Sequence, residues 1–505
     1  MKTVEKYGMF EMAVNAGENA GIVSGNAVFQ SGSMVKEVPA FLNRAGEYIV
    51  RFMPEKEGVW NYRIMIGSTA NAGKLFCTSN TGNDHGPVHT AGYHFCYADQ
   101  TRYIPVGTTC YAWTNQTKEL QDETIETLRN APFNKVRMCV FPKSMPYNHN
   151  DPEHYPFFKK QDGSWDVENP DPEFWENMDK RISQMMEAGI EADLILFHPY
   201  DRWGFAELTQ EESLIYLTYC IARFGAFRNI WWSLANEYEV LYAKSMEDWD
   251  EYGETLKEKD VFSHLISIHN IIAPYPKREW MTHCSIQSGD INRIIFWKKE
   301  YELPVMIDEC GYEGNIQYNW GNLTAFEMVH RFWWTICRDG FCTHGETFHR
   351  DDEVLWWAKD GKLYGESAER IKFLKEALYS LPGDWRATEA AAGNPNLEGK
   401  DEAAVRQEMR FQEMLKDAPE TGRETFIENI SPMAIEGDTY RLEYLGRCRP
   451  FQTELYLPED GNYRVEIIDI WEMTRKTVLE NVSGYTRVRL PEKEGIALLA
   501  MRIFL

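Results

Sequence analysis

Phe227-Arg-Asn-Ile-Trp-Trp-Ser-Leu-Ala-Asn-Glu-Tyr-Glu239 is the stretch whose reading decides the fold. Ile230 to Ala235 is a largely apolar run of strand length, and Asn236-Glu237 breaks it where a βα loop should begin. An acid placed there stands at the mouth of a parallel sheet, the end at which barrel enzymes carry their chemistry. Taken alone, the stretch reads equally well as an ordinary strand followed by a solvated loop acid.

Working outward, Leu303-Pro-Val-Met-Ile-Asp-Glu-Cys-Gly311 repeats the pattern and ends in Glu309, with helical segments and further strand candidates in between. Two carboxylates at the ends of different strands of one barrel can face each other across a pocket. Glycoside hydrolysis uses such a pair, one acid protonating the leaving oxygen while the other attacks the anomeric carbon or activates water. Strands are expected at 103–108, 135–140, 192–197, 230–235, 264–270, 281–287, 304–309 and 341–346. Helical periodicity falls at 122–130, 171–188, 211–224, 248–259, 291–301, 325–338 and 370–379. The alternation counts out a closed (β/α)8 barrel rather than an open sheet.

The ends of the chain read differently. Residues 1–82 form short strands with alternating burial, as in Trp60, Tyr62, Ile64 and Ile66, and are expected to be a small Ig-like β-sandwich. The polar, Gly-rich Ser79-Asn-Thr-Gly-Asn-Asp-His-Gly86 marks the boundary to a barrel spanning 83–385. Residues 386–420 are expected to be an extended connection, and 421–505 a second, C-terminal β-sandwich. Loop 141–168, rich in aromatics and Pro, is too long for a plain connection and is expected to cover the site.

Composition excludes several classes. The 78 acidic against 53 basic residues give a net charge of -25, a surface that repels polyphosphate and anionic lipid, so neither nucleic acid nor membrane is an expected partner. Seventeen Trp, 26 Tyr and 26 Phe supply faces for stacking on sugar rings, although most belong to the core. The ten Cys have no zinc-type spacing, and no metal or organic cofactor is expected. The first residues carry no long apolar run, which sets the expectation of a cytoplasmic enzyme; a homo-oligomer stays open.

Asn236-Glu237 and Glu309 resemble the pattern of retaining glycoside hydrolases of the large (β/α)8 clan. More closely, Phe95-Cys-Tyr-Ala-Asp-Gln-Thr-Arg-Tyr-Ile-Pro-Val-Gly-Thr108, Phe197-His-Pro-Tyr-Asp-Arg-Trp203 and Trp232-Ser-Leu-Ala-Asn-Glu237 resemble a family of glycoside hydrolases related to apiosidases. Gly46-Glu-Tyr-Ile-Val-Arg-Phe-Met-Pro54 with Gly58-Val-Trp60 resembles the small β domain that precedes such barrels. The resemblance implies Glu237 as general acid/base, Glu309 as nucleophile and Asn236 as the group holding the hydroxyl beside the anomeric carbon. It implies Arg137 as the arginine that keeps the nucleophile ionised, and His198 and His269 as orienting histidines. Asp201 is expected on sugar hydroxyls, and Gln287 and His283 compete for the strand-six role.

Strand eight departs from the clan pattern, in which a Trp often floors the subsite: it ends in Glu346, a third acid that would favour exo action. Trp113, Tyr200, Trp203, Tyr238 and Trp320 are the stacking candidates. The substrate expected is a small imported oligosaccharide or glycoside. Two other classes compete: a non-catalytic carbohydrate-binding protein, and a metal-dependent isomerase or hydrolase using His198, Asp201, His264, His269 and Glu309.

Overall fold

Eight short parallel strands stand at the centre of the molecule: β1 (Gly107–Thr109), β2 (Lys135–Cys139), β3 (Glu191–Phe197), β4 (Ile230–Ala235), β5 (Leu265–Ser267), β6 (Cys284–Gln287), β7 (Val305–Glu309) and β8 (Phe341–His344). The computed structural model describes residues 2–16, 21–82, 84–388, 401–430 and 434–504. The strands pair in the order β5-β4-β3-β2-β1-β8-β7-β6. A parallel bridge between His269 and Ser285, with the Thr282 amide donating to the Ile266 carbonyl at 2.9 Å, joins β5 to β6 and brings the sheet round into a barrel. β2, β3 and β4 are buried along their whole length, as strands covered on both faces must be.

Helices α1 (Lys118–Asn130), α2 (Pro172–Glu187), α3 (Gln210–Phe224), α4 (Met246–Lys259), α5 (Ile294–Tyr301), α6 (Ala325–Ile336), α7 (Trp356–Lys359) and α8 (Ser367–Tyr379) surround the barrel. Thr117, Asp171, Thr209, Ser245 and Thr324 cap the first four and the sixth through side-chain oxygens, satisfying amides that the first turn leaves without partners. The alternation breaks once: 271–280, between β5 and β6, holds no helix. Pro274 and Pro276 cannot continue one. The Glu239 carboxylate instead pins this loop by accepting from the amides of Ile271, Ile272 and Ala273.

β5 and β6 are shorter than the 264–270 and 281–287 expected, and β1 and β8 differ in where they begin or end. β1 starts at Gly107 rather than 103, because Pro105 has no N–H to give the ladder; Arg102–Tyr103 pairs instead with His94–Tyr97. That small sheet carries Phe95 against Trp231, His283 and Phe341. β8 stops at His344, and Glu346–Thr347 forms a separate pairing with Glu313–Gly314.

The barrel interior is ionic. Lys135 Nζ lies 2.6 Å from Asp193 and 2.9 Å from Asp308, and Arg137 Nη1 lies 3.4 Å from each, all four side chains being fully buried. Ser285 and Thr343 donate to the same Asp308 at 2.6 and 2.7 Å. Pairing with one another and with these hydroxyls offsets the cost of taking the four charges out of water.

The N-terminal unit pairs as one seven-stranded sheet rather than as two separately paired sheets. Its apolar face continues into the barrel core through Phe41 against Tyr219 and Phe52 against Phe262. At the C-terminus a six-stranded sheet and the two-stranded pair Gln452–Leu457 with Gly484–Arg489 share a small core of Leu455, Val465, Val488 and Leu498. The extended connection expected over 386–420 is corrected where it is described. Arg386–Ala387 pairs with Ala434–Gly437, while Glu402–Asp417 and Glu420–Ile430 are helices, the first capped by Asp401 and built of strong helix formers; 389–400 lie outside the described residues. No helix of the described residues is long and apolar enough to cross a membrane.

Candidate active site

β4 hands over to the site through an uncommon backbone. Asn236 is fully buried and Glu237 follows in the left-handed region, with φ 55° and ψ 59°. A non-glycine residue held there carries strain that the surrounding fold must impose, and such residues cluster at functional sites. Asn236 Oδ1 accepts from Arg137 Nη2 at 3.1 Å, and its amide NH2 has no hydrogen-bond partner among the described residues.

β7 reaches the site by a different device. Simple alternation would send only one of Asp308 and Glu309 inward. The β6–β7 register skips Asp308: Ile286 lies opposite Ile307, then Gln287 opposite Glu309. This bulge sends Asp308 into the ionic interior and still leaves Glu309 at the mouth.

The two acids meet across Gln287. With its amide nitrogen turned toward them, as the hydrogen-bond network requires, Gln287 donates to Glu237 Oε1 at 3.1 Å and to Glu309 Oε2 at 3.3 Å. Each acid also has its own phenol. Tyr200, beyond β3, donates to Glu237 Oε2 at 2.5 Å, and Tyr111, in the β1 exit loop, donates to Glu309 Oε1. Tyr312 Oη stands 3.2 Å from Tyr111 Oη.

The environment separates the roles. Burial, followed by the charge of Glu309, pushes Glu237 up to about 7, against the opposing hydrogen bond from Tyr200. A carboxyl in that state keeps its proton in about half of the molecules at pH 7, where an ordinary carboxyl has lost it, and can act as an acid. The pocket above the pair holds about 630 Å³. Its far wall is aromatic: Trp320 lies 4.9 Å from Trp357, and Tyr318 stacks on Trp320 at 5.5 Å.

The residues expected from sequence divide clearly. Glu237, Glu309, Gln287, Tyr200 and Trp320 line the pocket, and Arg137 with Asn236 forms the layer beneath. Glu346 does not face it. Thr343 points inward to Asp308, so alternation turns His344 and Glu346 outward, where Glu346 accepts from the amides of Tyr364 and Gly365. Asp201 is likewise occupied by the amides of Trp203 and Ala206, both at 2.7 Å. His198 is buried against the Phe141 carbonyl at 3.1 Å, and burial lowers it to about 3, so it stays neutral and anchors the loop after β2. His269 is fully buried at the β5–β6 closure, and burial together with Arg137 keeps it neutral.

Trp113 is core, under the Arg181 guanidinium, and His283 packs beside Trp231 at the opposite end of the barrel. Tyr238 points its hydroxyl at the Ala273 carbonyl, and Trp203 binds Asp151 in the loop after β2. That loop does reach the site with Pro146. Beyond it, Phe157–Lys159 and Trp165–Pro170 form a hairpin whose Trp165 stacks on Phe205.

The alternative metal set of His198, Asp201, His264, His269 and Glu309 does not converge. His264 pairs with Asp260 at 2.8 Å. Among the described residues, the metal-capable trio is Glu313, His344 and Glu346. Its carboxylates already accept from the amides of residues 364–367. The sequence reading missed Tyr111, Tyr312 and Trp357. Tyr111 was legible in one respect: it stands in the exit loop of a barrel strand and carries a hydroxyl, where Trp113 offers only a larger face.

Comparison with known proteins gives three family matches. Residues 89–394 match the family described as apiosidase-like, catalytic domain; residues 3–67 match a domain of unknown function, DUF5060, and residues 430–503 another, DUF5605. The crystal structure of a candidate glycoside hydrolase from Bacteroides vulgatus ATCC 8482 is 31% identical over 100% of both chains, with a TM-score of 0.86. A glycoside hydrolase family 5 structure from the same organism is 14% identical, covers 83% of this chain and 94% of its own, and has a TM-score of 0.60, a likeness of fold. No curated protein matches the chain.

Proposed function

Because the chain belongs to the family of apiosidase-like catalytic domains, we propose that it is a retaining glycoside hydrolase in which Glu309 is the nucleophile and Glu237 the acid/base. The observation that carries the reading is the single Gln287 amide nitrogen shared by both carboxylates. Hydrogen bonds of 3.1 and 3.3 Å from one nitrogen keep the two bonded oxygens close together, which supports the ~5–5.5 Å spacing of a retaining pair.

The chemistry follows from the geometry. Protonated Glu237 gives its proton to the glycosidic oxygen as the bond to the anomeric carbon breaks, and a Glu309 oxygen forms a new bond to that carbon. The leaving alcohol departs neutral. Glu237, now ionised, takes a proton from water, whose oxygen attacks the anomeric carbon and releases Glu309 as carboxylate. Tyr111 and Gln287 hold Glu309, one on each oxygen, so that it presents a fixed direction to the sugar. The unpartnered amide of Asn236 is the donor for the hydroxyl beside the anomeric carbon.

We further propose exo action on small glycosides or oligosaccharides, pentosides among them. The third-acid argument for it falls with Glu346, but another support stands. Tyr147 donates to Gln317 Oε1 at 3.2 Å and lies 5.3 Å from His349, which ties the loops after β2, β7 and β8 together beside the pocket.

The test is a panel of aryl glycosides and short oligosaccharides, with products separated from the earliest time point. A single monosaccharide of retained anomeric configuration is expected. Mixed internal fragments would remove the exo reading, and an inverted product would remove the retaining one. On a substrate the protein turns over, Glu309→Ala should lose activity and recover part of it in azide, releasing a glycosyl azide of inverted configuration.

A further inference from the structure

One cation in the site has no acidic partner. Lys143, in the loop after β2, is 3% exposed, and among the described residues it forms no ion pair with a carboxylate. Its Nζ lies 3.6 Å from the ring centroid of Tyr111, 4.5 Å from that of Tyr200 and 5.9 Å from that of Trp357. A lysine loses several favourable contacts with water on burial, and ring faces return part of them through their negative quadrupole. The backbone is fixed on both sides: Asn148 Nδ2 donates to the Lys143 carbonyl at 3.0 Å, and the Ser144 amide donates to the Tyr200 carbonyl at 2.8 Å.

The two nearer rings are not arbitrary. Tyr111 donates to Glu309 and Tyr200 donates to Glu237, so one ammonium group touches both phenols that hold the two acids. We infer that Lys143 is a positioning residue for the hydrolytic pair, supplying from beneath both tyrosines the positive charge that strengthens their hydrogen bonds to Glu309 and Glu237. A cation against a phenol ring draws electron density from the hydroxyl and makes it a better donor. The inference rests on the hydrolase reading for its consequence in turnover, but not for the electrostatics.

Glu237 is faced by Glu309 from β7, Tyr200 from beyond β3, Gln287 from β6 and Lys143 from the loop after β2. Arg331, on the pocket wall, is occupied by Glu327 at 2.8 Å. Lys143 is a positive group acting on Glu237, and it holds down a proton affinity that burial and Glu309 raise.

The experiment compares the wild type with Lys143→Met and Lys143→Arg in the full chain. Carbon NMR of labelled glutamate follows the titration of Glu237, and of labelled tyrosine the Cζ signals of Tyr111 and Tyr200. In Lys143→Met the midpoint for Glu237 should rise by about one pH unit and both tyrosine signals should move, with Lys143→Arg near the wild type. The basic limb of kcat/KM should rise by the same amount on any glycoside that is turned over. An unmoved midpoint with unmoved tyrosine signals overturns the inference, as does a pH-independent loss of rate with the midpoint unchanged. If no glycoside is turned over, the hydrolase reading fails while the NMR titration still decides the role of Lys143. Should Lys143→Met not fold, Lys143→Gln removes the charge while keeping a polar end, with the same expected shift.

Discussion

At the residue scale, Glu237 combines a strained backbone, burial and a charged neighbour, all of which fit the acid role proposed for it. Its folded pKa of about 7 lies above the ~4.3 of an unfolded glutamate, so the native state binds this proton more tightly than the unfolded chain does. That contribution to stability is full below about pH 4 and is lost as the pH rises through about 7, amounting to roughly 4 kcal/mol before relaxation of the site is allowed for. Glu237→Gln, which has no proton to lose, should therefore gain on the wild type as pH rises. Melting temperatures at pH 5 and pH 8 measure this: the Gln variant should be relatively more stable at pH 8. A difference independent of pH would show that the acid is not held protonated by the fold.

At the element scale, strands 3, 4 and 7 were legible as largely apolar runs, as strands covered on both faces tend to be, whereas strand 2 alternates Lys135 and Arg137 with apolar residues. Asn236, Glu237 and Glu309 were legible as the polar residues that end such runs. Orientation was not. Glu346 was placed in the pocket from its position after an apolar run, yet one step of alternation puts it outside, and only the register of Thr343 decides which. The Asp308 bulge hides in the same way, since nothing in Ile-Asp-Glu says that both acids turn inward. The bulge also yields a prediction. Asp308 accepts from Lys135, Ser285 and Thr343 and neutralises part of the Lys135–Arg137 charge, which together hold its carboxyl well below the usual range despite burial. Asp308→Asn leaves two buried cations with Asp193 as their one remaining ion-pair partner among the described residues, and should cost ~3–5 kcal/mol. Urea unfolding measures it, and a loss under about 1 kcal/mol, the value of an exposed pair, would mean that water enters the barrel interior.

At the scale of the whole molecule, the N-terminal sheet is fastened to the barrel by charge as well as by apolar contact. Arg51, on the sheet, donates to Asp179 of α2 at 2.9 and 2.7 Å and to the Arg223 carbonyl at 2.8 Å. Arg223, on α3, donates to the same Asp179 at 3.1 and 2.6 Å. Burial acts to raise Asp179, but the two guanidinium groups outweigh it and keep the carboxyl ionised. Arg51 and Arg223 are both buried, so the acid is what lets two like charges share one interface. Asp179→Asn should therefore destabilise by ~3–5 kcal/mol, because it leaves the desolvated Arg223 without an acid, beside an Arg51 that keeps only the half-exposed Glu11, rather than merely removing an attraction. The loss should appear first at the junction. Limited proteolysis should cut near the segment joining the sheet to the barrel in the variant under conditions where the wild type stays intact, and the thermal transition should broaden as the two units uncouple. Replacing Arg51, Asp179 and Arg223 together by apolar residues of similar volume should recover most of the stability, since no buried charge is then left without a partner. A single Asp179→Asn variant that melts with the wild type would place water in that interface and leave the attachment of the sheet to the apolar contacts of Phe41 and Phe52 and to polar contacts such as Arg44 with Glu176.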